Sequence, residues 1–345
     1  MSTVRLVGSP IESPAHTIYT TAVLAIPKPR PSPPRRGSAQ PPLYLVLLLT
    51  LLTGCVAAIQ AEDKRITGKL TRAGLQERQV PLGPETTMQV WEGGSGPTVV
   101  LLHGFGPSAP WQWHTQVRAF AKHHRVIVPN LLWFGQSTGH PSDASLVDQV
   151  GALAKLLDVL EVEETALVGV SYGGLVAVAL ARMQPEMVSK LVIVDSPARV
   201  YERSDYDALL QRFEVSEIQE VLIPETEADV ARLLGLAYHS PPWTNRGLRK
   251  AILATLYANH RKEQAALLRT LVADMEMLSN FGGFSPRPTL VVWGRDDPVF
   301  PLAMGEALAE SIPARLEVIE RARHTPNMEH PRHFNRVVLD FLAEP

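Results

Sequence analysis

The sequence predicts an α/β fold, a mostly parallel sheet with helices on both faces. Three observations predict it: short continuous apolar runs recur after residue 80, helical patterns separate them, and the runs end in glycine or small polar residues. Unbroken Val/Ile/Leu runs are the mark of strands buried on both faces, and alternation with helices keeps such strands parallel.

The elements follow in order. "TMQVWEGG" (87–94) alternates as a strand, and "TVVLLHG" (98–104), "RVIVPN" (125–130), "TALVGVS" (165–171), "KLVIVDS" (190–196), "TLVVWGRDD" (289–297) and "RLEVIERA" (315–322) are the buried type. Between them "SLVDQVGALAKLLDVL" (145–160), "GLVAVALARMQPE" and "RHFNRVVLDFL" place apolar residues at spacings of three and four, the helical period. From 199 to 283 the alternation stops. Helical segments such as "EADVARLLGLAYHS" and "LRKAILATLYANH" replace it, which predicts a helical lid over one end of the sheet. Leu233, Leu234, Leu236, Tyr238 and Trp243 are placed either to line an acyl pocket or to pack the lid.

Composition narrows the function. A net charge of −2 and 45% hydrophobic residues describe an ordinary globular chain and give no reason to expect a nucleic-acid partner. One cysteine, Cys55, rules out an intrachain disulfide and a cysteine-based zinc site. The other histidines, His123 and His124 among them, have no metal-ligand spacing and are expected at the surface; no metal or cofactor is implied.

The first sixty residues differ. Residues 1–42 are proline-rich and carry a basic cluster at Arg30, Arg35 and Arg36, a composition expected to be disordered. An uncharged run, "LYLVLLLTLLTGCVAAIQ" (43–60), follows in the order of a secretion signal. Its "Leu52-Thr53-Gly54-Cys55" resembles the lipobox of bacterial lipoproteins, in which the cysteine is lipidated. That resemblance implies lipidation at Cys55 and a membrane-anchored protein of the bacterial cell envelope. The expected domains are a disordered region with signal (1–55), a polar tether (56–80), a core (81–198 and 284–345) and the lid (199–283).

Three polar residues fall at the carboxyl ends of predicted strands, where open α/β sheets bind ligands: Ser171, Asp297 and His324. Ser171 sits between glycines in "GVSYGG", a turn too tight for ordinary side chains. A serine hydroxyl becomes nucleophilic only when a base takes its proton; imidazole is the side chain suited to do so near neutral pH, which points to His324, and Asp297 would hold its ring in the right tautomer. Asp296 and Asp195 are rivals for the acid. An oxyanion needs two N–H donors, for which the backbone of Tyr172 and of Phe105, in the loop after "LLHG", is placed. His103 is expected to support that loop by hydrogen bonding.

These motifs, "LLHGFG", "GVSYGG", "WGRDDPVFP" and "HTPNMEHP", resemble those of the α/β-hydrolases over residues 80–345. "VPNLLWFGQS" departs from the family's usual loop at Asn130, Leu132 and Trp133, and with "GVSYGG" is similar to the serine esterase and lipase branch that includes Moraxella-type lipases. The resemblance implies a small-molecule ester or lipid substrate. "HGFGPSAPWQW" and "WGRDD" also resemble C–C bond hydrolases of vinylogous 1,5-diketones, which usually carry Trp where Met328 stands. A third reading is a lipid-anchored binding protein without catalysis.

Overall fold

The computed structural model describes residues 43–140, 142, 144–280, 287–312 and 314–345, without the side chains of 43–53, 199 and 278–280. The expectation of disorder over residues 1–42 lies outside them, as does the end of the expected lid beyond residue 280.

Eight strands form one sheet: β1 (Gln76–Pro81), β2 (Thr87–Gly94), β3 (Thr98–Leu102), β4 (Arg125–Pro129), β5 (Thr165–Val170), β6 (Val188–Val194), β7 (Thr289–Gly294) and β8 (Ala314–Ile319). Their order is β1-β2-β4-β3-β5-β6-β7-β8, antiparallel at β1/β2 and β2/β4 and parallel from β4 onward. Every residue of β5 and β7 is buried, as their unbroken apolar sequences require. After β3 the chain first adds β4 on one side and then β5 on the other. That reversal opens a crevice at the carboxyl ends of β3 and β5.

The helices are α1 (Leu43–Arg72), α2 (Ala109–Trp113), α3 (Val117–Phe120), α4 (Leu146–Val159), α5 (Tyr172–Met183), α6 (Arg203–Phe213), α7 (Gln219–Leu222), α8 (Glu227–Ala237), α9 (Arg246–Leu256), α10 (Arg261–Asn280), α11 (Leu302–Ser311), α12 (Pro326–Glu329) and α13 (Pro331–Ala343). Among the described residues, none is long and apolar enough to cross a membrane. α4 starts at a capping box in which Ser145 and Asp148 satisfy each other's backbone N–H groups. α5 is buried from Tyr172 to Ala181 because the sheet covers one side of it and α4 and neighbouring turns cover the others, its small residues allowing close approach. Helices α6–α10 occupy the stretch expected as a lid, between β6 and β7.

The polar tether expected at 56–80 is corrected. Its residues form the second half of α1 and most of β1. Ile59, Ile66 and Leu70, spaced by seven and four, make a narrow apolar stripe that is buried, and Leu75 follows it into the core beside Trp91. The helix stops at Gly74, whose φ of 91° allows a Schellman turn: Leu75 N donates to Leu70 O at 3.1 Å and Gly74 N to Thr71 O at 3.0 Å. Polar composition hid a stripe only one residue wide per turn.

Candidate active site

β5 ends in a sharp turn that carries Ser171 at φ 54° and ψ −121°, a conformation that costs energy for any side chain but glycine. The flanking glycines make the turn possible. A Cβ on Gly169 would stand 2.3 Å from the Gly173 carbonyl oxygen, and one on Gly173 would stand 2.4 Å from that of Leu102. Gly104 brings the loop after β3 against the turn, since a Cβ there would lie 3.0 Å from Ser171 Cβ. The neighbouring Phe105 ring meets Tyr172 edge-on at 5.1 Å. Among the described residues the backbone N–H groups of Phe105 and Tyr172 have no hydrogen-bond acceptor. They border the same crevice and are free to bind an anion.

Asp297 follows β7 and is buried. Its Oδ1 accepts from Val299 N at 2.8 Å and Phe300 N at 3.1 Å, and its Oδ2 meets His324 Nδ1 at 2.8 Å. Asp296 points elsewhere, pairing with His239 at 3.0 Å on the exposed side. An Nδ1–H held by a carboxylate leaves Nε2 of His324 as the basic nitrogen. No hydrogen bond joins Ser171 Oγ to His324. Both line one cavity of about 330 Å³, a separation common in unliganded sites of this chemistry. Leu233, Leu234, Leu236, Tyr238 and Trp243 all line that cavity, and Ile59 and Glu62 of α1 form part of its wall. Nothing in the sequence pattern pointed to a contribution from α1.

His103 is fully buried. Leu131 N donates to its Nε2 at 3.0 Å, so Nδ1 carries the proton and donates to Gly104 O at 2.7 Å. Burial holds its pKa down to about 4, so the ring is neutral and braces the Phe105 loop. Asn130, one of the departures in the "VPNLLWFGQS" loop, accepts from Ala109 N at 2.6 Å and donates to Gln89 Oε1 at 2.6 Å, anchoring α2. Of the two neighbouring histidines expected at the surface, His124 is buried near the Phe120 ring.

Sequence reasoning missed two braces. Asn327, buried in α12, exchanges hydrogen bonds of 3.0 Å with Gln112 of α2, tying the histidine loop to the loop of Phe105. Glu329 receives Arg323 N at 2.8 Å and His239 N at 2.7 Å, tying the histidine loop to the lid. Neither residue stands out by spacing, because its partners are distant in sequence. Asp195, Asp297 and His324 offer ligand atoms within 4.8 Å of one another, but the His324–Asp297 hydrogen bond uses two of those atoms. Cys55 is half-buried within α1, its Sγ 3.5 Å from where a Cβ on Gly247 of α9 would lie.

The family model of the alpha/beta hydrolase fold matches residues 97–331. The chain belongs to that family. Among its relatives is the 2-hydroxy-6-oxo-2,4-heptadienoate hydrolase of Pseudomonas putida, 30% identical over 259 residues that cover 72% of this chain and 90% of the relative. The pimeloyl-[acyl-carrier protein] methyl ester esterase of Aeromonas hydrophila is 29% identical over 254 residues, 72% of this chain and 97% of the esterase. In three dimensions this hydrolase is similar to a bacterial membrane phospholipase A, with a TM-score of 0.68 and 25% identity over 87% of this chain and 96% of the other. The hydrolase thus has both a dienoate hydrolase and an ester hydrolase among its relatives.

Proposed function

We propose that this hydrolase cleaves carboxylic esters of apolar acyl groups through an acyl-enzyme. Ser171 Oγ attacks the ester carbonyl while His324 Nε2 takes its proton, and Asp297 stabilises the imidazolium. The backbone N–H groups of Phe105 and Tyr172 hold the oxyanion. Its collapse expels the alcohol, which leaves with the proton from His324. Water, activated by the same imidazole, then releases the acid.

One observation carries the choice of substrate. Among the described residues, the cavity that holds Ser171 and His324 is lined mainly by aliphatic and aromatic side chains, with Gln112, Thr244 and Thr325 among the few polar ones and no Lys or Arg, and Glu62 stands on its wall. Among the described residues, the smaller apolar recess of about 40 Å³ that continues from Ser171 past Leu175 and Leu209 is lined by no Lys or Arg either. A dienoate, named as substrate of the C–C hydrolase relatives, is a carboxylate, and burying it without a cation costs far more than burying an acyl chain. C–C bond hydrolysis remains the second reading, favoured by the 30% identity to those relatives.

The test is a panel of p-nitrophenyl esters from acetate to palmitate, run beside a vinylogous 1,5-diketone, with Ser171→Ala as control. Ester turnover that falls by several orders of magnitude in Ser171→Ala supports the reading. Turnover of the diketone alone transfers the site to C–C hydrolysis. A protein that turns over neither and is not labelled by a serine-reactive organophosphonate is a binding protein. We also propose lipidation at Cys55 and a place in the cell envelope, on the strength of the basic cluster, the apolar run and the lipobox-like ending in that order.

A further inference from the structure

Asp195, at the end of β6, has no part in the mechanism above, yet it is fully buried against the catalytic acid. Its backbone takes φ 43°, a strained value that aims the side chain back at the end of β7. Oδ1 accepts the N–H of Gly294 at 2.8 Å, while Oδ2 is buried with no donor. The carboxyl oxygens of Asp195 and Asp297 and the ring nitrogen of His324 converge within 4.8 Å. Asp297 already has three donors, two backbone N–H groups and the imidazole. Two adjacent buried carboxylates with one unsatisfied oxygen between them do not both ionise.

We propose that Asp195 is a positioning residue in its neutral acid form: its Oδ2–H donates to Asp297, fixing that carboxylate against His324 and keeping the pair at a single negative charge. Burial and the neighbouring Asp297 push its carboxyl well above the usual carboxylate range, which agrees with the geometry. The groups that face Asp195 are Asp297 from β7, and His324 and Glu329 from the segment after β8. By drawing density from Asp297, the donor keeps the imidazole from becoming too basic to work near neutrality.

The experiment reads the rate of labelling of Ser171 by an organophosphonate between pH 5 and pH 9. It needs no natural substrate, so it stands or falls apart from the ester reading. In Asp195→Ala the donor is lost, Asp297 binds the imidazolium more tightly, and the acid limb moves up by about one pH unit, with labelling about tenfold slower on that limb. Asp195→Asn keeps both a Gly294 acceptor and an Asp297 donor, and brings the limb back to its position in the parent protein. A limb that moves down in Asp195→Asn means that a negative charge was removed, and overturns the proposal. An unmoved limb in Asp195→Ala overturns it as well. Should Asp195→Ala fail to fold, infrared difference spectra of the parent protein and Asp195→Asn decide. A protonated-carboxyl band present in the parent and lost in Asp195→Asn supports the proposal, and its absence from the parent defeats it.

Discussion

The carboxylate of Glu329 accepts the backbone N–H of His239 with one oxygen, at 2.7 Å, and that of Arg323 with the other, at 2.8 Å. One side chain therefore joins the loop after α8, in the middle of the lid, to the residue before His324. Thr325 adds a second tie, donating from Oγ1 to Ala237 O at 2.7 Å, and the Arg323 guanidinium adds a third at Gly235 O. These bonds couple the lid to the histidine loop.

That coupling predicts the behaviour of Glu329→Ala. Three charge-assisted hydrogen bonds vanish, from the backbone N–H groups of His239, Ser240 and Arg323, and these donors lose their acceptor, costing about 1–3 kcal/mol in stability. Because the loop carries the base, kcat falls by about tenfold for every ester alike while KM changes little. Thermal melts and steady-state kinetics on acetate and octanoate esters check both parts; a loss confined to long esters would place Glu329 with the substrate instead.

Asp297→Asn lowers kcat by about three to four orders of magnitude, since the amide keeps the shape but not the charge and favours the wrong imidazole tautomer. Asp296→Asn, which removes only an exposed pair with His239, stays within about threefold. The two variants compared at pH 7.5 decide the acid; the reverse order would move it to Asp296.

His103 titrates the fold. Its pKa in the native state is held down to about 4 against the ordinary 6.5, so the native ring refuses a proton that the unfolded chain accepts. Stability from this group is intact above pH 6.5 and lost progressively as pH falls toward 4, by about 3 kcal/mol in all. His103→Gln, which can keep the contacts to Leu131 and Gly104, loses this dependence. Urea denaturation of both proteins from pH 7 to pH 4 measures the difference, and parallel curves would mean that the ring is solvated.

Leu233 lines the cavity from α8, so Leu233→Trp takes volume from it. Palmitate and other long esters lose about tenfold in kcat/KM while acetate stays within about twofold. An equal loss for all lengths would make the lid a stability element only.

Intact-mass measurement on detergent-extracted protein tests lipidation. A mature N-terminus at Cys55 with acyl mass is expected, and Cys55→Ser should yield an unlipidated precursor. A chain that starts at Met1 without lipid refutes the assignment.

The alternation of buried strands with helices, the elbow glycines and the order serine, aspartate, histidine are local features of the chain, and each was legible as such. β5 and β7 are apolar at nearly every position because both of their faces are covered, and Gly169 and Gly173 are glycines because a Cβ at either would strike backbone. The sequence left Asp296 as a rival of Asp297 for the acid, and side-chain directions separate the partners of the two aspartates, His239 and His324. Nothing local marks Asn327 or Glu329, and Asp195 stood out only as a rival acid at a strand end: their partners lie far along the chain, and a polar residue shows its purpose only once its hydrogen bonds are closed. The same holds for α1. A stripe of Ile59, Ile66 and Leu70 within a polar stretch acquires meaning when the core supplies a surface to bury it, and Ile59 and Glu62 reach the cavity only through that packing. Sequence determined the backbone path and the reactive groups, because those follow from period and steric exclusion; tertiary structure decided which distant polar groups hold them in place and how apolar the cavity above them is.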